Sequence, residues 1–145
     1  TPLGALGFPV ETTASVARLV LGGVLERHPG LRVVASHGGG ALPYLAARLD
    51  ALWRTDERAR IRCRVPPSDL IARIGLDALV YAEGPLRLAV GTAGASNVMF
   101  GTDHPFSVAD PITNLAAIDA ALAGAERRSV MALSAEAWFR LPPLL

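Results

Sequence analysis

Two short stretches place reactive side chains where an apolar run gives way to a turn. In "SHGGGALPYLAARLD", residues 36–50, an imidazole at His37 is followed by three glycines and then a helical pattern. In "NVMFGTDHPF", residues 97–106, a carboxylate at Asp103 follows Gly101-Thr102 and precedes His104-Pro105. Imidazole moves protons near neutral pH, and both groups ligate divalent transition metals. A catalytic zinc takes three protein ligands and keeps one open position. The sequence offers Asp103 and at most His37, so by ligand count alone a complete metal site is not encoded.

Gly38, Gly39 and Gly40 admit three readings. One is a tight strand-to-helix turn with positive φ and close packing. Another is an anion cradle of bare amides at a helix start. The last is the HGGG oxyanion hole of esterases, which demands a G-x-S-x-G nucleophile elbow. No such elbow exists. "GASN" at 94–97 comes nearest and fails, so the esterase is excluded and the other two readings stay open. Of the remaining histidines, His28 in "ERHPG" reads as a solvated helix-end imidazole, and His104 as a residue shaping its loop.

These residues need elements to position them. Helical spacing runs through 11–27, where Thr12 or Thr13 can cap the start and Pro29-Gly30 forces a stop. Residues 31–35, "LRVVA", read as a strand ending at Ser36-His37. A helix follows over 41–54, then Pro66-Pro67, with Ser68 as cap of a short helix to Arg73. Residues 76–81 and 97–100 read as two more strands, with a helix over 84–93 between them. Asp110-Pro111 starts a helix to about Ala123, and a helical pair over 126–133 and 134–140 closes the chain. Strands alternating with helices predict an α/β fold with a parallel sheet, in which chemistry gathers at the strands' carboxyl ends. His37 and Asp103 stand at two such ends.

The 145 residues, 51% hydrophobic with a formal charge of +1, suit one soluble domain with a substantial core. No lysine is present, which excludes a Schiff-base lysine and the lysine-bearing phosphate loop. One cysteine, Cys63, excludes an internal disulfide and points to a reducing cytoplasm. No apolar run is long enough for a membrane span, and no signal peptide is evident. Arg48, Arg54, Arg58, Arg60, Arg62 and Arg64 are interrupted by Asp50, Asp56 and Glu57 without an aromatic row. They read as a solvated helix end and loop, or a subunit interface, and not as a nucleic-acid surface.

The chain resembles the C-terminal part of the amidohydrolase-2 family, the metal-dependent hydrolases and decarboxylases typified by aminocarboxymuconate-semialdehyde decarboxylase. The resemblance rests on "ETT" at 11–13, "GGVLERHPGLRVVASHGGGALPYLAARLD" at 22–50, "LDALVY" at 76–81 and "NVMFGTDHPF" at 97–106. It implies part of a (β/α)8 barrel with a divalent metal, commonly zinc, at its carboxyl face. It further implies that His37 is the catalytic proton shuttle and Asp103 a metal ligand. Arg48 then matches an arginine that binds substrate carboxylate in a neighbouring subunit's site, which makes a homo-oligomer, a dimer, the expected assembly. The implied reaction is decarboxylation or hydrolysis of a small unsaturated or aromatic carboxylic acid, without a redox cofactor.

The family's His-x-His pair is absent from the chain, and its middle-strand histidine would fall just before Thr1. Residues 1–145 therefore read as a single partial barrel domain holding about three of eight strands. Such a part leaves strand edges and an apolar sheet face open, and is expected to self-associate, to be completed by a partner, or to belong to a larger gene product. The alternative is a metal-free remnant or assembly module of the same fold.

Overall fold

A computed structural model gives the structure of residues 3–106 and 108–142. Helix α1 (Phe8–Leu21) carries Pro9 in its first turn, where the missing N–H costs nothing. It therefore begins before the threonines expected to cap it. Thr13 lies inside the helix, its hydroxyl donating to the Pro9 carbonyl at 2.7 Å and accepting the Ala41 N–H at 2.8 Å. The helix expected over 11–27 breaks at Gly22-Gly23, residues with the weakest hold on helical backbone, and resumes as α2 (Val24–Arg27). His28 ends α2 and is exposed, in keeping with a solvated helix-end imidazole.

Strands β1 (Val34–Ala35), β2 (Gly75–Asp77) and β3 (Val98–Met99) form one parallel sheet in the order β1-β2-β3. Val34 pairs with Gly75, Ala35 with Leu76, Leu76 with Val98, and Asp77 with Met99. All three strands are shorter than their apolar runs. Beyond Asp77 the Leu79 N–H turns back to the Asp77 carboxylate and the Val80 N–H to the Ala78 carbonyl, so the run to Tyr81 leaves the ladder.

Between the strands run α3 (Leu42–Thr55), α4 (Glu57–Arg60), α5 (Pro67–Ile71) and α6 (Glu83–Ala93). After β3 come α7 (Pro111–Ala121), α8 (Gly124–Arg128) and α9 (Ser134–Phe139), the last two joined by a wide helical turn over Ser129–Leu133. Asp110 caps α7 as its sequence suggests, accepting the Thr113 N–H at 2.9 Å. Ser68 caps nothing. Helix α5 starts one residue earlier, and the Ser68 N–H donates to Asp50.

Side chains alternate across the sheet. Ala35, Leu76 and Val98 point into a core shared with Val20, Leu42, Ile71, Leu86 and Ile118 from the helices. Val34, Gly75, Asp77 and Met99 fall on the opposite face, where Trp138 of α9 lies against Gly75. That face is less covered: Val34 is 41% exposed, and β1 and β3 are both sheet edges. Among the described residues no helix is long and apolar enough to cross a membrane.

The turn between β1 and α3 is built against α1. A Cβ on Gly40 would run into the Pro9 carbonyl and the Thr13 hydroxyl, and Gly40 sits at φ +62°. Gly40→Ala is therefore expected to lower folding stability by about 2–4 kcal/mol, the sum of left-handed strain and a backbone clash. Urea unfolding of the two proteins measures it.

Candidate active site at the carboxyl ends of the strands

The chain leaves each strand through a residue that strains its own backbone. His37 follows β1 at φ +58°, Tyr81 follows β2 at +56°, and Asp103 follows β3 at +58°. Non-glycine residues avoid this region, bulky ones most of all. Among the described residues the other such case is Arg140, which ends α9.

The His37 turn is held by a residue that the motifs did not single out. The Asp77 carboxylate, at the end of the central strand, accepts the His37 N–H at 2.9 Å, the Gly38 N–H at 2.7 Å and the Leu79 N–H at 3.1 Å. The Gly39 N–H goes to the Ser36 carbonyl, the Gly40 N–H to the His37 carbonyl, and the Ala41 N–H to Thr13. Every amide from 37 to 41 thus has a partner inside the protein, and none is left for an external anion. This overturns the cradle reading of the glycines. The negative charge that these amides face is Asp77 itself, and the steric reading stands. A Cβ on Gly38 would meet the Val80 side chain at a backbone φ of +60°. Only a sequence position, a lone acid in the apolar run "IGLDALVY", marks Asp77 in advance.

Burial, the largest influence, pushes the Asp77 carboxyl above its usual range, while the three N–H donors and the nearby His37 pull the other way. The His37 ring is half-buried, and its Nδ1 is buried with no hydrogen-bond partner. A buried ring nitrogen without a partner among the described residues is costly, and it leaves this atom open to an added group.

Asp103 begins a surface loop. Its carbonyl accepts the Phe106 N–H, but its carboxylate has no hydrogen bond or ion pair among the described residues. The strand end beneath it is fixed from two sides. A side chain on Gly101 would come against the Asp77 Cβ, and the fully buried Asn114 of α7 donates from Nδ2 to the Gly101 carbonyl at 3.1 Å. His104 is exposed, with its N–H on the Thr102 hydroxyl and a cis bond to Pro105.

Asp77 therefore joins the His37 and Asp103 strand ends through the central strand. Arg48 stands apart. It lies about six residues along α3, roughly 9 Å from the helix start, exposed and without a partner among the described residues. Neighbouring arginines are engaged locally: Arg58 pairs with Asp56 at 2.8 Å, and Arg60 donates to the Trp53 and Arg54 carbonyls. Cys63 is no nucleophile, since burial pushes its thiol up to about 11.

An imidazole with a free ring nitrogen and a carboxylate with free oxygens suit proton transfer and single-ligand metal binding. Asp103 fits as one ligand of a divalent ion. Among the described residues no three His, Cys, Asp or Glu side chains group closely enough to hold an ion, so further ligands must come from elsewhere.

A family model described as Amidohydrolase matches residues 1–141. The 2-amino-3-carboxymuconate-6-semialdehyde decarboxylase of Dictyostelium discoideum is 33% identical over 107 residues, which cover 72% of this chain and 30% of that protein. IDCase of Metarhizium anisopliae, solved in its apo form, aligns with a TM-score of 0.86 at 36% identity, covering 97% of this chain and 42% of that one. The 5-carboxyvanillate decarboxylase of Novosphingobium aromaticivorans, complexed with manganese and 4-hydroxy-3-methoxy-5-nitrobenzoic acid, aligns with a TM-score of 0.74 at 26% identity, covering 93% and 40%. The chain thus spans about a third of the curated relative's length and about two fifths of the solved ones.

The Asp77 contacts set a measurable expectation. Asp77→Asn turns an amide nitrogen toward backbone donors and is expected to cost about 1–3 kcal/mol near pH 4. Folding raises this carboxyl above its reference of 3.8, so the folded chain holds the proton more tightly than the unfolded one. The stabilisation from that shift is complete below the unfolded value and declines as pH rises through the folded value. Urea midpoints of wild type and Asp77→Asn should accordingly draw closer as pH rises from 4 towards neutrality.

Proposed function

The chain belongs to the amidohydrolase family, and on that premise we propose that the protein is a metal-dependent decarboxylase of a small unsaturated or aromatic carboxylic acid. The sheet and its helices are the C-terminal part of a (β/α)8 barrel of the metal-dependent hydrolase type, three parallel strands of the ring. Residues 1–145 act, in this reading, as a single partial barrel domain. The observation that carries it is the His37 Nδ1 and the Asp103 carboxylate, both without a partner among the described residues, at the same end of one parallel sheet.

Asp103 would hold the divalent ion together with ligands from outside the described residues. We take the ion to be zinc, with manganese, present in the solved relative, as the alternative. Bound there, it supplies a positive charge that orients the oxygens of an anionic substrate. His37 delivers a proton to the carbon bearing the carboxylate. The carbon–carbon bond then breaks, its electron pair staying on that carbon, and carbon dioxide leaves. The Asp77 carboxylate keeps the His37 backbone in the left-handed conformation that aims the ring.

Arg48 binds substrate carboxylate across a dimer interface, where its planar fork suits a bidentate pair. Its exposure without a partner supports this, as does the apolar surface around it: Tyr44 is 77% and Leu52 45% exposed on the same helix. A lone, buried, unpaired cysteine supports a cytoplasmic setting. The absence of three grouped ligands among the described residues favours the second reading, a metal-free assembly module.

Full-length protein carrying His37→Asn is the test, since asparagine tolerates the left-handed backbone that alanine does not. Carbon dioxide release from hydroxybenzoate-type and aminomuconate-type acids should fall by about 10²–10⁴-fold, with metal content unchanged. Unaltered turnover removes His37 from the chemistry, and wild-type protein without bound metal favours the assembly module. Mixing inactive His37→Asn and Arg48→Ala subunits should restore about a quarter of wild-type turnover if Arg48 serves the neighbouring site of a dimer.

A further inference from the structure

The three strained strand ends carry His37, Tyr81 and Asp103, and the proposed chemistry uses two of them. Strained backbone at a bulky side chain persists where the surroundings over-determine it, and it clusters at functional sites. Tyr81 is half-buried at the end of the central strand's loop, between the other two. Its hydroxyl donates to the Val108 carbonyl at 3.3 Å.

That contact has no equivalent. The loop from Thr102 to Ala109 otherwise makes hydrogen bonds only within itself among the described residues: Phe106 N–H to the Asp103 carbonyl, Ala109 N–H to the Phe106 carbonyl, His104 N–H to the Thr102 hydroxyl. Its side chains do little to anchor it, with Phe106 66% and Val108 51% exposed. The strand end below is pinned at Gly101 by Asn114, but beyond Gly101 the hydrogen bond that ties this loop to the rest of the fold, among the described residues, comes from one phenol.

We propose that Tyr81 is a positioning residue of the site: its hydroxyl latches the Thr102–Ala109 loop and so fixes the direction of the Asp103 carboxylate. The left-handed backbone at Tyr81 is what turns the ring out of the apolar run towards this loop, where an extended residue 81 would continue the strand direction. Burial and then the negative charges of Asp103, Asp77 and Asp110 raise the phenol above its ordinary value, so it keeps its proton and remains a donor. The metal side of this inference rests on the reading of Asp103 as a ligand; the latch itself does not.

Tyr81→Phe in the full-length protein removes the hydroxyl while retaining the ring and the backbone. Hydrogen exchange at the Phe106 and Ala109 amides should quicken about three- to ten-fold, the worth of one neutral hydrogen bond. Exchange at Gly40 and Ala78, bonded to the His37 and Met99 carbonyls, should not change. Manganese affinity, titrated by electron paramagnetic resonance with the metal alone, should weaken by a similar factor. A second variant, Tyr81→Gly, relieves the left-handed strain and should loosen the same two amides without lowering the melting temperature below that of Tyr81→Phe. Unchanged exchange at Phe106 and Ala109 overturns the latch, as does equal quickening at all four amides. A loosened loop with unaltered manganese affinity overturns the positioning role. Protein that binds no manganese and releases no carbon dioxide defeats the decarboxylase reading instead, and the exchange measurement still decides the latch.

Discussion

One half-buried carboxylate organises the carboxyl face of this sheet. Asp77 takes three backbone N–H groups, from His37, Gly38 and Leu79, and it pairs with Met99 of the strand that leads to Gly101. A carboxylate in such a place is costly to desolvate, and the three donors offset part of that cost. The bargain is reciprocal: the His37–Gly40 turn runs through four consecutive left-handed residues, and without an internal acceptor its first two amides would be stranded. The central strand thus sets the conformation of the strand end before it and the position of the one after it.

The surrounding packing makes that arrangement rigid. Leu76 and Val98 anchor β2 and β3 in a core with no exposed surface at either residue. From the other side, the Pro9 carbonyl and the Thr13 hydroxyl close on Gly40, so α1 presses the turn toward the sheet. Rigidity falls off from β1 to β3. The His37 turn has every amide spoken for, whereas the Asp103 loop is an exposed arch. The backbone that carries the imidazole is held from several directions, while the Asp103 carboxylate stands on the looser loop.

Much of this was legible in the chain. The alternation of apolar runs with helical spacing gave the α/β class because a parallel sheet needs a crossover between strands. The turns at His37 and Asp103 stood out because a reactive side chain sits where an apolar run stops, and Asp110-Pro111 announced its cap. The strands are shorter than the apolar runs for a physical reason. The run "LDALVY" is apolar because most of it is buried, and burial does not require a ladder; side-chain and local hydrogen bonds curl residues 79–81 out of the sheet. Thr13 and Ser68 looked like caps because their types favour helix starts, but a proline ahead of each had already begun the helix.

By itself, then, the sequence determined the residue types, the order of elements, the family, and the presence of an imidazole and a carboxylate at two strand ends. It could not decide what the glycine amides face, because their partner lies about forty residues away and is one acid among several. Only the tertiary structure puts Asp77 under that turn and so rules out an external anion there. The strain at Tyr81 likewise has no sequence signature, since tyrosine is an ordinary strand residue. Its left-handed backbone shows only in the fold, where the chain has left the sheet beyond Ala78 and the Val108 carbonyl lies within reach. Periodicity and residue type are local properties that a linear chain carries in full; the pairing of a half-buried carboxylate with its donors is settled only when distant segments meet.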